Sequence, residues 1–137
     1  MRTLSRRSAG VLILTALMLL AGCAAARLHS EGLAAVDRGD YEAGIAALGQ
    51  AVTHDPTNTA YRIDYQARRD AAVQTLIAQG DAARRAGQLD AAGSFYRRVL
   101  SIDPGNDRAR HGLEGMEADQ RHAAALEGAP IRAIFFG

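Results

Sequence analysis

Residues 73–106 decide the fold of this 137-residue chain, and they read VQTLIAQGDAARRAGQLDAAGSFYRRVLSIDPGN. The segment has the pattern of a helix, a short turn that contains Gly87, a second helix and a closing Asp-Pro pair. Proline ends the second helix because it lacks a backbone N–H and disfavours helical geometry in the residue before it. The segment therefore predicts two helices joined by a tight turn.

An earlier stretch, residues 25–58, repeats this pattern at a distance of 48 residues. The positions that coincide are, in pairs, Gly32 and Gly80, Ala35 and Ala83, Gly39 and Gly87, Ala43 and Ala91, and Pro56 and Pro104. Self-similarity at a fixed spacing is the signature of a repeat architecture, in which each unit is one supersecondary element.

Both stretches resemble the tetratricopeptide repeat (TPR), a 34-residue pair of antiparallel helices. The resemblance assigns packing roles to Leu28, Gly32, Gly44, Leu48 and Pro56 in the first stretch, and to Leu76, Gly80, Ala92, Tyr96 and Pro104 in the second. Small residues at the crossing let two helix backbones approach closely, and the large residue beyond fills the adjoining groove. Leucine stands at the two positions where the family prefers tryptophan. The resemblance implies an all-α fold with two TPR-like units.

The repeat spacing exceeds the TPR length by 14 residues, 59–72, which contain no Gly or Pro. Because 14 residues make almost four helical turns, the insertion nearly preserves helical phase. We expect one long helix that is capped by Thr57 or Asn58 and runs to about Ala86. A third helix is expected to begin at Asp107, or to be capped by it.

The first 22 residues resemble the signal peptide of a bacterial lipoprotein. Three arginines precede the apolar run 11–20, which is shorter than the roughly 20 residues that span a bilayer. The run leads to the sequence LAGC at positions 20–23, which looks like a lipobox. The resemblance implies cleavage between Gly22 and Cys23, a covalent lipid such as palmitate on Cys23, and a location at the outer membrane facing the periplasm.

The predicted organisation has four parts along the chain. These are a signal peptide over residues 1–22, a lipid-anchored tether over 23–26, a TPR-like repeat domain over 27–127 and an apolar tail over 128–137. The Ile-Phe-Phe ending of the tail is unusual in a chain with only seven aromatic residues. We expect either a segment that needs a partner or a reading frame that ends early.

Charge and composition argue against several functional classes. Residues 23–137 hold 13 Arg and 15 acidic residues, whereas nucleic-acid binding usually needs a basic face. A single cysteine excludes an internal disulfide and a cysteine-based zinc cluster. The four histidines lack the four-residue spacing of a helical metal pair, and no nucleophile or phosphate-loop motif occurs. We therefore expect no enzymatic activity, cofactor, metal or small-molecule substrate.

TPR arrays bind extended segments or helices along the concave face of their first helices. The positions that this resemblance implies are His29, Leu33, Val36 and Asp37 in the first unit, and Gln74, Ile77, Asp81, Arg84 and Arg85 in the second. The alternative is that these residues pack against the neighbouring long helix; for Leu33, Val36 and Ile77 both interpretations stay open. The Arg doublets at 68–69, 84–85 and 97–98 are expected to form ion pairs within their own helices, and the alternative is that they contact an acidic partner or the lipid headgroups near the anchor.

Together these features predict a lipid-anchored scaffold or adaptor that binds a protein partner in a bacterial envelope complex. A lipobox leader followed by TPR-like units with a long helix also resembles the N-terminal region of secretins. Secretins are the outer-membrane channel subunits of type II secretion and type IV pilus systems. The ring and barrel domains of that family are missing from this sequence. The alternative is therefore a secretin fragment or a pilot-like lipoprotein that accompanies a secretin.

Overall fold

A computed structural model of the chain describes residues 23–128, in which the regular structure is entirely α-helical. Residues 23–37 form the described part of helix α1. It is followed by α2 (Tyr41–His54), α3 (Thr59–Arg85), α4 (Leu89–Ile102) and α5 (Asp107–Gly128). The predicted all-α, TPR-like fold is confirmed. The predicted long helix is confirmed as well, because α3 has 27 residues and is therefore about 40 Å long.

The chain divides into two compact units, unit 1 (Met1–Ala72) and unit 2 (Val73–Gly137). Helix α3 contributes residues 59–72 to the first unit and residues 73–85 to the second. Each unit therefore contains three helical segments in its described part. The core of unit 1 contains Ala25, Ala35, Val36, Ile45, Leu48, Ala51 and Ala72. The core of unit 2 contains Val73, Leu76, Ile77, Ala83, Ala92, Tyr96, Val99, Ala109 and Met116.

The same turn closes the helix pair in both units. Gly39 and Gly87 have φ angles of +84° and +73°, the left-handed region that glycine enters without steric cost. After α1, the Gly39 N–H donates to the Val36 carbonyl and the next N–H donates to the Ala35 carbonyl. The equivalent two hydrogen bonds form around Gly87 in unit 2, between residues that lie 48 positions further along the chain. This is the Schellman motif, which satisfies carbonyls left free at a helix end.

Asparagine side chains start the next helix in each unit. The Asn58 Oδ1 accepts hydrogen bonds from the backbone N–H groups of Ala60 and Tyr61, at 3.1 and 3.3 Å. The Asn106 Oδ1 accepts one from Ala109 at 3.1 Å. The predicted cap of α3 is thus Asn58, and α5 begins at Asp107 with the preceding asparagine as its cap.

Two glycines allow the helices of unit 1 to cross with their backbones in contact. A Cβ atom built on Gly32 would lie 3.0 Å from the Gly44 carbonyl oxygen, and one built on Gly44 would lie 2.9 Å from the Gly32 carbonyl oxygen. The same position of Gly32 is 2.8 Å from Cγ of Leu48, which is fully buried. Gly32, Gly44 and Leu48 therefore meet where the two helices cross.

The N-terminal end of α1 differs from the predicted organisation. The described residues of the predicted tether, 23–26, are already helical, and Ala25 is fully buried. Alanine has the highest helix propensity of the residues, and three occur here in succession. The leader before Cys23 and the apolar tail after Gly128 lie outside the described residues.

Candidate functional site

An open pocket lies on the predicted binding face of unit 2, between α3 and α5. Its volume is about 490 Å³, and it is lined by Asp81, Arg84, Tyr96, Arg108, His111 and Gly112. An adjoining pocket of about 380 Å³ is lined by Asp81, Arg84 and Arg85. We call these residues of both pockets the arginine face. It contains three of the five positions predicted for unit 2, together with Tyr96 of α4 and three residues of α5.

Tyr96 packs between two glycines beneath the arginine face. A Cβ on Gly80 of α3 would lie 2.8 Å from Cε1 of the tyrosine ring, and a Cβ on Gly112 of α5 would lie 2.7 Å from Cε2. The ring is 1% exposed. Aromatic burial of this kind contributes strongly to a core, because the ring removes a large apolar area from water. The missing side chains of the two glycines thus create the space that the ring fills.

Asp81 connects the buried tyrosine to the surface. Its Oδ1 accepts a hydrogen bond of 2.7 Å from the Tyr96 hydroxyl, and its Oδ2 accepts one of 2.5 Å from the Arg108 guanidinium. The tyrosine hydrogen bond is the main reason why the pKa of Asp81 lies below its ordinary value of 3.8, and Arg108 adds to the effect. Burial, followed by the hydrogen bond to Asp81, raises the pKa of Tyr96 above 10.0.

Arg84 forms an ion pair across the pocket. Its guanidinium donates to Oδ2 of Asp119 on α5 at 3.1 Å, and the two side chains are 41% and 60% exposed. Exposed pairs of this kind contribute at most about 1 kcal/mol. Arg85 is also exposed, and its charge acts on Asp81. The arginine face and Asp119 together hold three guanidinium groups and two carboxylates.

The other two candidate residues of unit 2 do not line either pocket of the arginine face. Gln74 is exposed on α3, whereas Ile77 is 3% exposed and belongs to the core. The Ile77 side chain therefore has the packing role that the sequence left open as an alternative.

Two of the candidate residues of unit 1 contact the N-terminal half of α3. The His29 Nε2 lies 2.7 Å from Oδ2 of Asp64, and its ring lies over Tyr61 with centroids 4.5 Å apart. Asp37 accepts a hydrogen bond of 2.9 Å from Arg68. Leu33 is half-buried and Val36 is 8% exposed. His29 and Asp37 are therefore engaged by groups from the insertion 59–72.

The ion pairs correct one expectation from the sequence. Arg68 and Arg84 were each expected to pair within their own helix, but they pair with Asp37 on α1 and Asp119 on α5. The acidic partner lies 31 and 35 residues away along the chain, respectively. A guanidinium on a long side chain reaches across a helix interface as easily as along its own helix, and helical spacing does not distinguish the two.

Four residues around the pocket were not among the predicted positions: Arg108, His111, Gly112 and Asp119. All lie on α5, the third helix that the sequence predicted from Asp107 onward, to which no binding residue was assigned. The repeat spacing relates these residues to the insertion of the first unit. Asp107 lies 48 residues after Thr59, so residues 107–120 of α5 correspond to residues 59–72. In unit 1 the insertion contacts candidate residues of α1, and in unit 2 its counterpart in α5 contacts candidate residues of α3.

Within residues 23–128, no cluster of three or more His, Cys, Asp or Glu residues has a geometry that could hold a metal ion. None of the helices in this range is long and apolar enough to cross a membrane. Cys23 is exposed.

Comparison with known proteins identifies one repeat. Residues 73–106 match the tetratricopeptide repeat family, over the same 34 residues on which the sequence pattern placed it. No curated protein and no solved structure has significant similarity to the chain. Repeats of this family are typically non-catalytic modules that mediate contacts between proteins. The chain thus carries a TPR at 73–106, within an all-α fold of TPR-like helix pairs.

Proposed function

We propose that this chain is a non-enzymatic, lipid-anchored scaffold that holds a protein partner at a bacterial cell envelope. The observation that carries the proposal is the open pocket on the first-helix face of the TPR at 73–106. In a pair of antiparallel helices the second helix supports the first. Residues of α3 and α5 are thereby held in fixed positions for a partner, with Tyr96 buried beneath them.

The anchor is supported by the sequence around Cys23. A basic segment and an apolar run precede the lipobox-like LAGC, which ends in the chain's single cysteine, and that cysteine is exposed. Lipidation with two or more acyl chains would give stable anchoring, because one chain alone binds a membrane only marginally. We propose the outer membrane, with the helical units facing the periplasm.

Because α1 already includes residues 23–26, the proposed lipid would be attached directly to a helix. The distance between the membrane surface and unit 1 would then be set by the acyl linkage and not by a flexible tether. Such a scaffold would hold its partner close to the lipid headgroups.

Membrane fractionation of Cys23→Ser tests the anchor. Cells expressing the wild type should carry the chain in the outer-membrane fraction and incorporate labelled palmitate. The Cys23→Ser variant should do neither, and Ala26→Ser, a small change three residues away, should behave as wild type. A Cys23→Ser chain that still incorporates label and stays in the membrane would contradict the proposal.

The secretin alternative is tested on the same membranes by immunoblotting with and without boiling. A single band of the size of this chain under both conditions supports the scaffold. A much larger species that disappears on boiling would instead identify the chain as part of a secretin-like channel, or as tightly bound to one.

A further inference from the structure

We propose that the arginine face of unit 2 binds an acidic protein segment, whose carboxylates contact Arg84, Arg85 and Arg108. The proposal rests on the proposed function, because it specifies the partner of that same pocket. It concerns only unit 2, whose α3, α4 and α5 segments form the pocket.

The charge around the pocket favours a carboxylate ligand. Three guanidinium groups line it, and the one carboxylate among the lining residues, Asp81, already accepts hydrogen bonds from Tyr96 and Arg108. Arginine offers several donors in a planar fork that matches a carboxylate. A cationic ligand would instead meet more guanidinium groups than carboxylates around the pocket.

Arg84 already shows the kind of contact that a ligand would make. Its guanidinium lies over Gly115, because Nη2 is 3.2 Å from the position that a Cβ on that glycine would take. The same nitrogen donates a hydrogen bond to Asp119. Both side chains are well exposed, so a carboxylate from a partner can replace that of Asp119 at little cost. Asp119 then acts as an internal competitor that lowers the affinity for acidic ligands.

The repeat register shows that this chemistry is specific to unit 2. The residues of α1 that correspond to Asp81, Arg84 and Arg85 are Leu33, Val36 and Asp37. They provide no cation, and Asp37 is engaged by Arg68. The cationic groups of unit 2 are therefore a feature of that unit and not of the helix-pair scaffold.

The concave shape favours a protein segment over a lipid surface. The pocket lies between the arginines of α3 and α5, and its volume of about 490 Å³ can receive side chains. A flat bilayer surface reaches exposed groups on a convex or planar face, whereas a flexible peptide can enter a concavity. Anionic vesicles are therefore the comparison ligand.

Fluorescence anisotropy with the full chain in mild detergent tests the proposal. The probe is a fluorescein-labelled ten-residue peptide of alternating Glu and Ala, and its neutral counterpart has Gln in place of Glu. We expect binding of the acidic peptide only, and weakening as salt screens the charges. Arg84→Gln and Arg108→Gln should each reduce the affinity about three- to tenfold. Arg121→Gln, an exposed arginine of α5 outside the face, is the matched control.

Asp119→Asn gives a test in the opposite direction. Removal of the internal competitor should raise the affinity for the acidic peptide by about threefold or more. Glu117→Gln removes the same charge from a residue of α5 that lines a different pocket, against α4, and should change the affinity less. Equal effects of the two changes, or equal binding of both peptides by the wild type, would overturn the proposal.

Vesicle sedimentation provides the lipid comparison. If the Arg84→Gln, Arg108→Gln double variant lost binding to phosphatidylglycerol vesicles relative to phosphatidylcholine while peptide binding was unchanged, the face would be a lipid site and the proposal would fail. Capture of envelope proteins distinguishes this proposal from the proposed function. If the wild type and the double variant captured the same envelope protein equally well, the scaffold function would be retained and only the acidic ligand would be overturned.

Discussion

The hydroxyl of Tyr96 on α4 donates a hydrogen bond of 2.7 Å to Asp81 on α3, which joins the most buried aromatic ring among the described residues to an open pocket at the surface. The same carboxylate accepts from Arg108 on α5. One side chain thus links all three helical segments of unit 2. The packing of the unit and the position of its cationic groups depend on the same contact.

Tyr96→Phe should separate the packing of the ring from its hydrogen bond. The ring stays between Gly80 and Gly112, but Asp81 loses one donor, so we expect a loss of about 0.5–1.5 kcal/mol in unfolding free energy. Tyr96→Ala should cost about 3–5 kcal/mol because it also leaves a cavity. Guanidinium unfolding followed by circular dichroism measures both. Equal losses in the two variants would show that the ring contributes nothing beyond its hydroxyl.

Two separate glycine-to-alanine substitutions on α2 test the helix crossing of unit 1. Alanine gains about 1 kcal/mol in helix propensity over glycine. At Gly44, however, the new Cβ would lie 2.8 Å from the Val36 backbone nitrogen, and overpacking costs about 1–3 kcal/mol. We expect Gly44→Ala to be destabilising overall, because backbone atoms cannot move aside.

Gly49→Ala is the control for that substitution on the same helix. Its Cβ would meet the Tyr65 ring at 3.4 Å, an ordinary contact, so the propensity gain should leave the variant neutral or slightly more stable. Thermal unfolding compares the two. Stabilisation by both changes would mean that the helices of unit 1 do not cross at Gly44.

The turn of unit 2 should tolerate only residues that enter the left-handed region. No atom lies within 4 Å of a Cβ built on Gly87, so Gly87→Ala has no steric clash and its cost is that of the +73° φ angle. That cost is about 1–2 kcal/mol, and Gly87→Asn should lose less. Gly105→Ala, with ordinary φ and only a distant contact, should be close to neutral in the same unfolding assay. A neutral Gly87→Ala would contradict the turn geometry.

The stability of unit 2 should depend on pH at both ends of the range. The folded pKa of Asp81 is below 3.8, so its contribution is present above that pH and is lost as the pH falls through the folded value. The folded pKa of Tyr96 is above 10.0, so its contribution is present below that pH and is lost as the pH rises through the folded value.

Asp81→Asn is the variant that checks this dependence. It should flatten the acid limb of a plot of unfolding free energy against pH, while the alkaline limb becomes shallower because the hydrogen bond that raises the tyrosine pKa is weakened. Asp107→Asn, at an exposed carboxylate whose pKa is lowered mainly by Arg110, should change the acid limb little. An unchanged acid limb in Asp81→Asn would rule out this carboxylate as its source.

Much of the fold follows from local sequence signals. Gly39 and Gly87 predict tight turns because few other residues adopt a positive φ angle, and Asn58 predicts a helix start because its side chain can bond backbone N–H groups. The 14-residue insertion predicts a continuous α3 because it nearly preserves helical phase. These signals act over a few residues, so the sequence is sufficient to identify them.

The arginine face depends on contacts that no local pattern contains. Tyr96 is predictable as a large packing residue, but its hydroxyl partner is 15 residues away, and Arg108 is 27 residues from the same carboxylate. Val36 and Ile77 show the same limit, since helical spacing alone does not tell whether an apolar residue on a first helix faces a ligand or the next helix. Burial in the folded chain distinguishes the two.

Photo-cross-linking in cells of the native organism tests the central claim most directly, which is that this chain holds a protein partner at the arginine face. A benzophenone amino acid at His111, exposed at the pocket, leaves the three arginines unchanged. We predict one discrete protein adduct that is absent when the same probe replaces Arg121, exposed elsewhere on α5. No protein adduct at position 111, or identical adducts at both positions, would contradict the account.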